Sequence, residues 1–197
     1  MQRSLLESTT PYFQAALRNS HLGTAPPGTL RFPEDEPEAW NVLLYYIIHR
    51  TPIMATNEPN LISVEQYMLV NVRCWALGEK YKIPAFQDIA MLDLLKIFEH
   101  MRPSIYVIKE AYETTPPGCK HRALIAEEAA LSLYDGTLKY GDLDACNGLV
   151  GFTGEIVEAV SVRGRRKFWV LRWKEFMVAG GPARHWVPEV ETAETVE

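Results

Sequence analysis

A mainly helical (α+β) fold with a small, partial sheet is what this sequence predicts, and three features predict it. Apolar residues recur at helical spacing along most of the chain, beginning clearly with Trp40, Leu43, Leu44 and Ile47. Leu30 and Phe32 alternate with Thr29 and Arg31, which suits one short half-buried strand. Pro and Gly then cut the chain into helix-length pieces, at Pro11, Pro37, Pro84, Pro103 and Gly136. The 197 residues are 47% hydrophobic, enough for one sizeable core or for one domain with a helical extension.

Taken in order, residues 4–20 read as a helix with Leu5, Leu6, Tyr12, Phe13, Ala16 and Leu17 inward. Pro11 lacks a backbone donor, so a short turn there precedes a helix over 12–19. Residues 21–28, rich in Pro and Gly, form a loop. Pro33 then stops the short strand. Asp35 or Glu36 precedes Pro37, a residue suited to the first turn of a helix. Glu34, Asp35, Glu36 and Glu38 crowd that N-terminus, where a surface negative charge is favoured by about 0.3–1 kcal/mol. Residues 51–60 are another loop, residues 61–64 are ambiguous, and Ser63 is a candidate cap for a helix from Val64. Val70, Cys74, Leu77, Gly78 and Tyr81 share one face of that helix, and Gly78 lets a neighbouring helix come close. Pro84 ends it and starts the next, over 85–98, with Phe86, Ile89, Ala90, Leu94 and Ile97 inward.

Pro103 and Ser104 open a further helix with Ile105, Ile108 and Tyr112, stopped by Thr114-Thr115-Pro116-Pro117-Gly118. Residues 120–134 are an Ala-rich helical pattern with Leu124, Ile125, Ala129 and Leu131 apolar. Asp135-Gly136 and Gly141 mark a loop, and residues 148–154 are Gly-rich. Helices are expected over 155–162 and 168–177, split at Gly164, before Gly180-Gly181-Pro182 ends order. Residues 188–197 are acidic, polar and predicted to be disordered.

Three motifs occur together. Ser4-Leu5-Leu6-Glu7-Ser8-Thr9-Thr10-Pro11-Tyr12-Phe13-Gln14-Ala15-Ala16-Leu17 is followed by the acidic lead-in of Glu34 to Trp40, and that by Leu77-Gly78-Glu79-Lys80-Tyr81-Lys82-Ile83-Pro84-Ala85-Phe86. In this order and spacing, with extra residues over about 53–68, they resemble a BTB/POZ domain of the kind common in fungal proteins. The resemblance covers residues 1 to about 100. It implies a domain at 1–100, a helical extension of the sort found after such domains at 101–187, and the tail at 188–197. Two places differ from the family. Gln2-Arg3 stands where the family's leading strand pair ends in His followed by Lys or Arg, so the resemblance implies a domain lacking that pair. Those strands contribute to the family's swapped homodimer. The second departure is Ile47-Ile48-His49-Arg50, where family members often read Leu or Ile, Tyr, Thr or Ser, Gly.

Composition excludes more than it selects. There are 20 basic and 25 acidic residues and a net charge of −5, which gives no overall support for a nucleic-acid or anionic-membrane partner. Three widely spaced cysteines, Cys74, Cys119 and Cys146, fit a reducing cytoplasmic or nuclear compartment rather than a disulfide scaffold. No secretory leader is read in the first residues, where Gln2, Arg3 and Glu7 interrupt a short apolar stretch, and no apolar run approaches the roughly 18 residues of a membrane span. No Gly-x-Ser-x-Gly elbow supports a serine hydrolase. Gly148, Gly151 and Gly154 lack the spacing and the following Lys of a phosphate loop, and a loop with Thr153 as helix cap reads better. Cys119-Lys120-His121 offers two metal ligands where zinc needs four. The histidines at 21, 49, 100, 121 and 185 are scattered, as exposed or satisfied side chains would be. The expectation is therefore no catalytic residue, no cofactor, no metal and no small-molecule substrate.

Two segments remain. Arg163, Arg165, Arg166 and Lys167, with Phe168, Trp169, Arg172, Trp173 and Lys174, form a basic-aromatic run. It reads first as a solvated edge on a core helix, because Trp169, Trp173 and Phe176 share helical spacing. Its alternative is a nucleic-acid or nuclear-import patch in a transcription-linked protein. Tyr45, Tyr46, Ile48, His49 and Arg50 lie beside the inward stripe of Leu43, Leu44 and Ile47, so Tyr45 or Ile48 is left for solvent or for the extension. The resemblance implies a non-catalytic protein–protein interaction module that self-associates or docks on a cullin-3-type ubiquitin ligase scaffold. Its contact residues would be Trp40, Tyr45, Ile48, His49, Arg50 and Tyr81.

Overall fold

Helix boundaries fall where the sequence supplies prolines and side-chain caps. The computed structural model describes residues 3–18, 30–50, 63–162 and 169–178. Within them, α1 (Arg3–Glu7) is separated from α2 (Pro11–Arg18) by a turn in which the Thr10 hydroxyl accepts from the Phe13 amide at 3.3 Å. α3 (Pro37–His49) begins with its proline at the first turn. α4 (Val64–Tyr81) is capped by Ser63, which accepts from the Gln66 amide at 3.1 Å. α5 (Pro84–Phe98) follows after Lys82 and Ile83. α6 (Ile105–Thr114) takes its cap from Ser104, and α7 (Lys120–Asp135) ends on Gly136 in the left-handed region. A 3-10 helix (Tyr140–Cys146), α8 (Phe152–Val162) and α9 (Trp169–Phe176) complete the described chain.

The fold is mainly α. Among the described residues there is no strand, which corrects the expected small sheet. Leu30 and Phe32 have no strand beside them there. Phe32 instead turns into an aromatic cluster, stacked on Trp40 at 4.5 Å, and its carbonyl closes a turn to the Asp35 amide. The loops expected at 21–28 and 51–60, the ambiguous residues 61 and 62, the split at Gly164, the break at Gly180 and the tail at 188–197 lie outside the described residues.

α5 is the central element. The sequence marks one apolar stripe on it, but nearly every residue from Phe86 to Leu95 is buried, including Gln87, Asp88 and Asp93. A helix covered on all sides needs partners for its polar groups. Gln87 donates to Glu79 at 3.0 Å, Asp93 accepts from the Tyr67 hydroxyl at 3.1 Å, and Asp88 accepts from the Val178 amide. α4 lies closest along α5, and Gly78 makes that approach feasible. A Cβ there would meet the Gln87 side chain at 2.7 Å.

The segment after residue 100 packs onto the first part. α6 rests on α4 and α9 on α5, and one continuous apolar core runs from Phe13 to Met177. Arg122 on α7 ties this half together. It is buried, and donates to the carbonyls of Tyr112 and Thr115 at the end of α6 and to Val150 ahead of α8. Its guanidinium also lies 4.7 Å from the centre of the Tyr112 ring. α8 begins at Phe152, not after a Thr153 cap. Gly151, at φ +84°, turns the chain into the helix earlier, and Thr153 falls within the first turn.

Candidate protein-docking face

The outer face of α3 is the candidate site, built from the helix upward. Ala39, Leu43, Tyr46 and Ile47 turn inward and fix the rotation of the helix. That rotation leaves Tyr45 40% exposed and Ile48 54% exposed, beside His49 and Arg50, which are also exposed. Tyr45 and His49, one turn apart, have ring centroids 4.2 Å apart. Arg50 closes the helix in the left-handed conformation at φ +57°, with its amide donating to the Tyr46 carbonyl at 2.7 Å. Glycine is the usual occupant of such a position. The side chain gained instead places a guanidinium 6.0 Å from the Tyr46 ring centroid.

Behind α3 lies the anchor that holds this face. Asp35 sits in the turn before the helix with only 6% of its side chain exposed. It accepts from Trp40 Nε1 at 3.0 Å, from Lys80 Nζ at 2.6 Å and from the Tyr81 hydroxyl. Burial alone would push its carboxyl up; the hydrogen bonds from Lys80, Tyr81 and Trp40 outweigh this and hold it below the usual carboxylate range. Phe13, Phe32, Trp40 and Tyr81 pack around it, with Phe13 and Tyr81 stacked at 5.2 Å. Of the acidic lead-in, Asp35 is thus engaged inside the protein, while Glu34, Glu36 and Glu38 stay exposed. Glu38 accepts from Gln66 of α4.

Of the residues predicted as contacts, Tyr45, Ile48, His49 and Arg50 form one surface at the end of α3. Trp40 is half-buried and belongs to the anchor. Tyr81 is 0% exposed, so it holds the face from behind rather than presenting itself to a partner. Burial and the neighbouring Asp35 push its hydroxyl well above the ordinary tyrosine value. Tyr12, expected inward, is 42% exposed and packs edge-on against Tyr81. Arg163, Arg165, Arg166 and Lys167 lie outside the described residues. Farther along, Phe176 is buried and Trp173 half-buried, with Lys174 Nζ 5.6 Å from the Trp173 ring centroid.

Other candidates resolve into structural parts. Cys119 caps α7, its sulfur accepting from the Arg122 amide at 3.4 Å. His121 is 0% exposed, stacked on Trp75 at 5.0 Å, and neither ring nitrogen has a hydrogen-bond partner among the described residues. It is neither an exposed nor a satisfied histidine, as the sequence suggests. Burial, then the nearby Arg122, lowers its pKa to about 3. Among the described residues no group of three His, Cys, Asp or Glu is placed to hold a metal ion, and no helix is long and apolar enough to cross a membrane. Sequence reasoning missed Arg122, and weighed His121 only as a metal ligand or an ordinary histidine, because both lie in an Ala-rich stretch whose pattern shows only the apolar stripe. No family model matches this chain, and neither does any curated protein or solved structure.

Proposed function

We propose that the chain is a non-catalytic protein–protein interaction module of BTB/POZ type, acting through the outer face of α3 to self-associate or to dock on a cullin-type scaffold. The observation that carries this reading is the exposure of Tyr45 and Ile48 side by side with His49 and Arg50 on a helix anchored from behind. An apolar and aromatic centre with a polar, cationic margin has the make-up of an interface core and rim. The left-handed Arg50 adds to it: a side chain kept where glycine is easier suggests that the guanidinium has a use. The ordered motifs at 4–17, 34–40 and 77–86 support the family assignment. Placement in the cytoplasm or nucleus belongs to the same proposal, in keeping with free thiols at Cys74, Cys119 and Cys146.

The test is solution mass by light scattering over a concentration series, for the native chain and for Ile48→Asp. Self-association through this face gives a dimer whose dissociation constant rises about thirtyfold in the variant, the effect of losing a hot-spot contact of roughly 2 kcal/mol. A folded monomer at every concentration ends the self-association reading, and binding to a purified cullin amino-terminal domain then decides the docking half. A dimer or a cullin complex insensitive to both Ile48→Asp and Tyr45→Ala removes the α3 face from the proposal.

A further inference from the structure

At the other end of α3, the turn before the helix faces α4 and the end of α6 across a groove of about 630 Å³. None of Tyr45, Ile48, His49 and Arg50 lines it, so it is a separate surface from the α3 docking face. Its floor is small and apolar: Ala76 is half-buried, with buried Ala39 and Leu77 behind it. A small residue at Ala76 leaves open a space that a Leu there would fill.

The walls carry five carboxylates against three cations. Each cation is already committed. Lys80 meets Asp35 at 2.6 Å, Lys82 meets Glu79 at 2.7 Å, and Arg73 meets Glu110 at 2.6 Å. Glu36, more than half exposed, reaches only the far edge of Arg73 at 4.0 Å, and Glu34 has no cationic partner among the described residues. Two helices, α4 and α6, also end at these walls, at Lys82 and Thr114, and a helix carboxyl end attracts positive charge. The amino end of α3 opposes it, but Glu38 in the first turn offsets that charge. The groove is therefore apolar at its base and short of two positive charges.

We propose that this groove binds a linear basic peptide segment, with the stem of an Arg or Lys lying over Ala76 and its head group between Glu34 and Glu36. Long basic side chains suit such a site because their stems are apolar while their ends are charged. The proposal stands whether or not the chain self-associates through α3.

Fluorescence polarisation tests it on the full chain, with a short fluorescein-labelled peptide bearing two Arg among Ala and Leu, and its counterpart with Glu in place of Arg. The Arg peptide should bind, with affinity that falls as salt is raised, and the Glu peptide should not. Glu34→Gln combined with Glu36→Gln should weaken binding about tenfold, the combined effect of two partly exposed charge contacts. Ala76→Leu should weaken it comparably by filling the floor without altering charge, and Glu158→Gln on α8 should leave it unchanged. No binding of the Arg peptide overturns the proposal. So does an equal loss in Glu158→Gln, which would reduce the effect to attraction by an acidic chain. An Ala76→Leu protein with native circular dichroism and undiminished binding also overturns it, and if that variant does not fold the double Glu→Gln result decides alone.

Discussion

Asp35 and His121 show two opposite ways of burying a titratable group. Asp35 is surrounded by donors, so its carboxylate stabilises the fold. Asp35→Asn should cost about 1.5–3 kcal/mol in urea unfolding at neutral pH, the usual range for a hydrogen-bonded buried charge. Its folded pKa lies below the ordinary value of 3.8, so that stability is present above 3.8 and lost as the pH falls through the depressed value. Among the described residues His121 has no donor or acceptor to satisfy its ring. Between its ordinary 6.5 and its folded value of about 3, the unfolded chain binds a proton that the folded chain refuses. Stability should therefore fall with falling pH in that window, at most about 1.4 kcal/mol per pH unit. His121→Leu should flatten the profile between pH 6.5 and 4, about the upper part of that window, as read by urea midpoints. Arg50→Gly should raise stability by about 0.5–1 kcal/mol by relieving the left-handed backbone, while weakening any association through α3. The sequence showed Asp35, Lys80 and Tyr81 as motif residues, but nothing in spacing joins positions 45 residues apart. That pairing is tertiary, and so was hidden.

Elements were more legible than their surroundings. Ser63, Ser104, Pro37 and Pro84 announced helix starts because caps act within a single turn. The strand expected at Leu30 is not found among the described residues, since alternation describes one chain segment, whereas a strand exists only with a neighbour. The spacing marks α5 as a helix but not its surroundings, since three polar residues disguise a helix buried on every side. Gly78 was read correctly as a point of close approach, and its tightness makes a clear prediction. Gly78→Ala should cost about 1–3 kcal/mol in urea unfolding, because the new methyl displaces the buried Gln87 and its bond to Glu79. The same substitution at exposed Gly154, with open space around its Cβ, should be neutral or stabilising by comparison.

For the whole molecule, the apolar core passes without interruption from the motif-bearing first part into the segment beyond residue 100. Unfolding followed by far-ultraviolet circular dichroism and by tryptophan fluorescence should thus give coincident transitions. Two separated transitions would show that the parts at 1–100 and 101–187 are energetically independent.

The bond from Val178 back to Asp88 joins residues 90 positions apart. On the ribosome, at roughly 5–20 residues per second, α5 must wait about 5 to 20 s before the segment that covers its polar side is made. During synthesis the nascent chain holds a helix designed for full enclosure with one side still open to water, a natural target for chaperones. Rare codons between α5 and α9 would lengthen that interval, and with it the time in which another chain could take the place of α9.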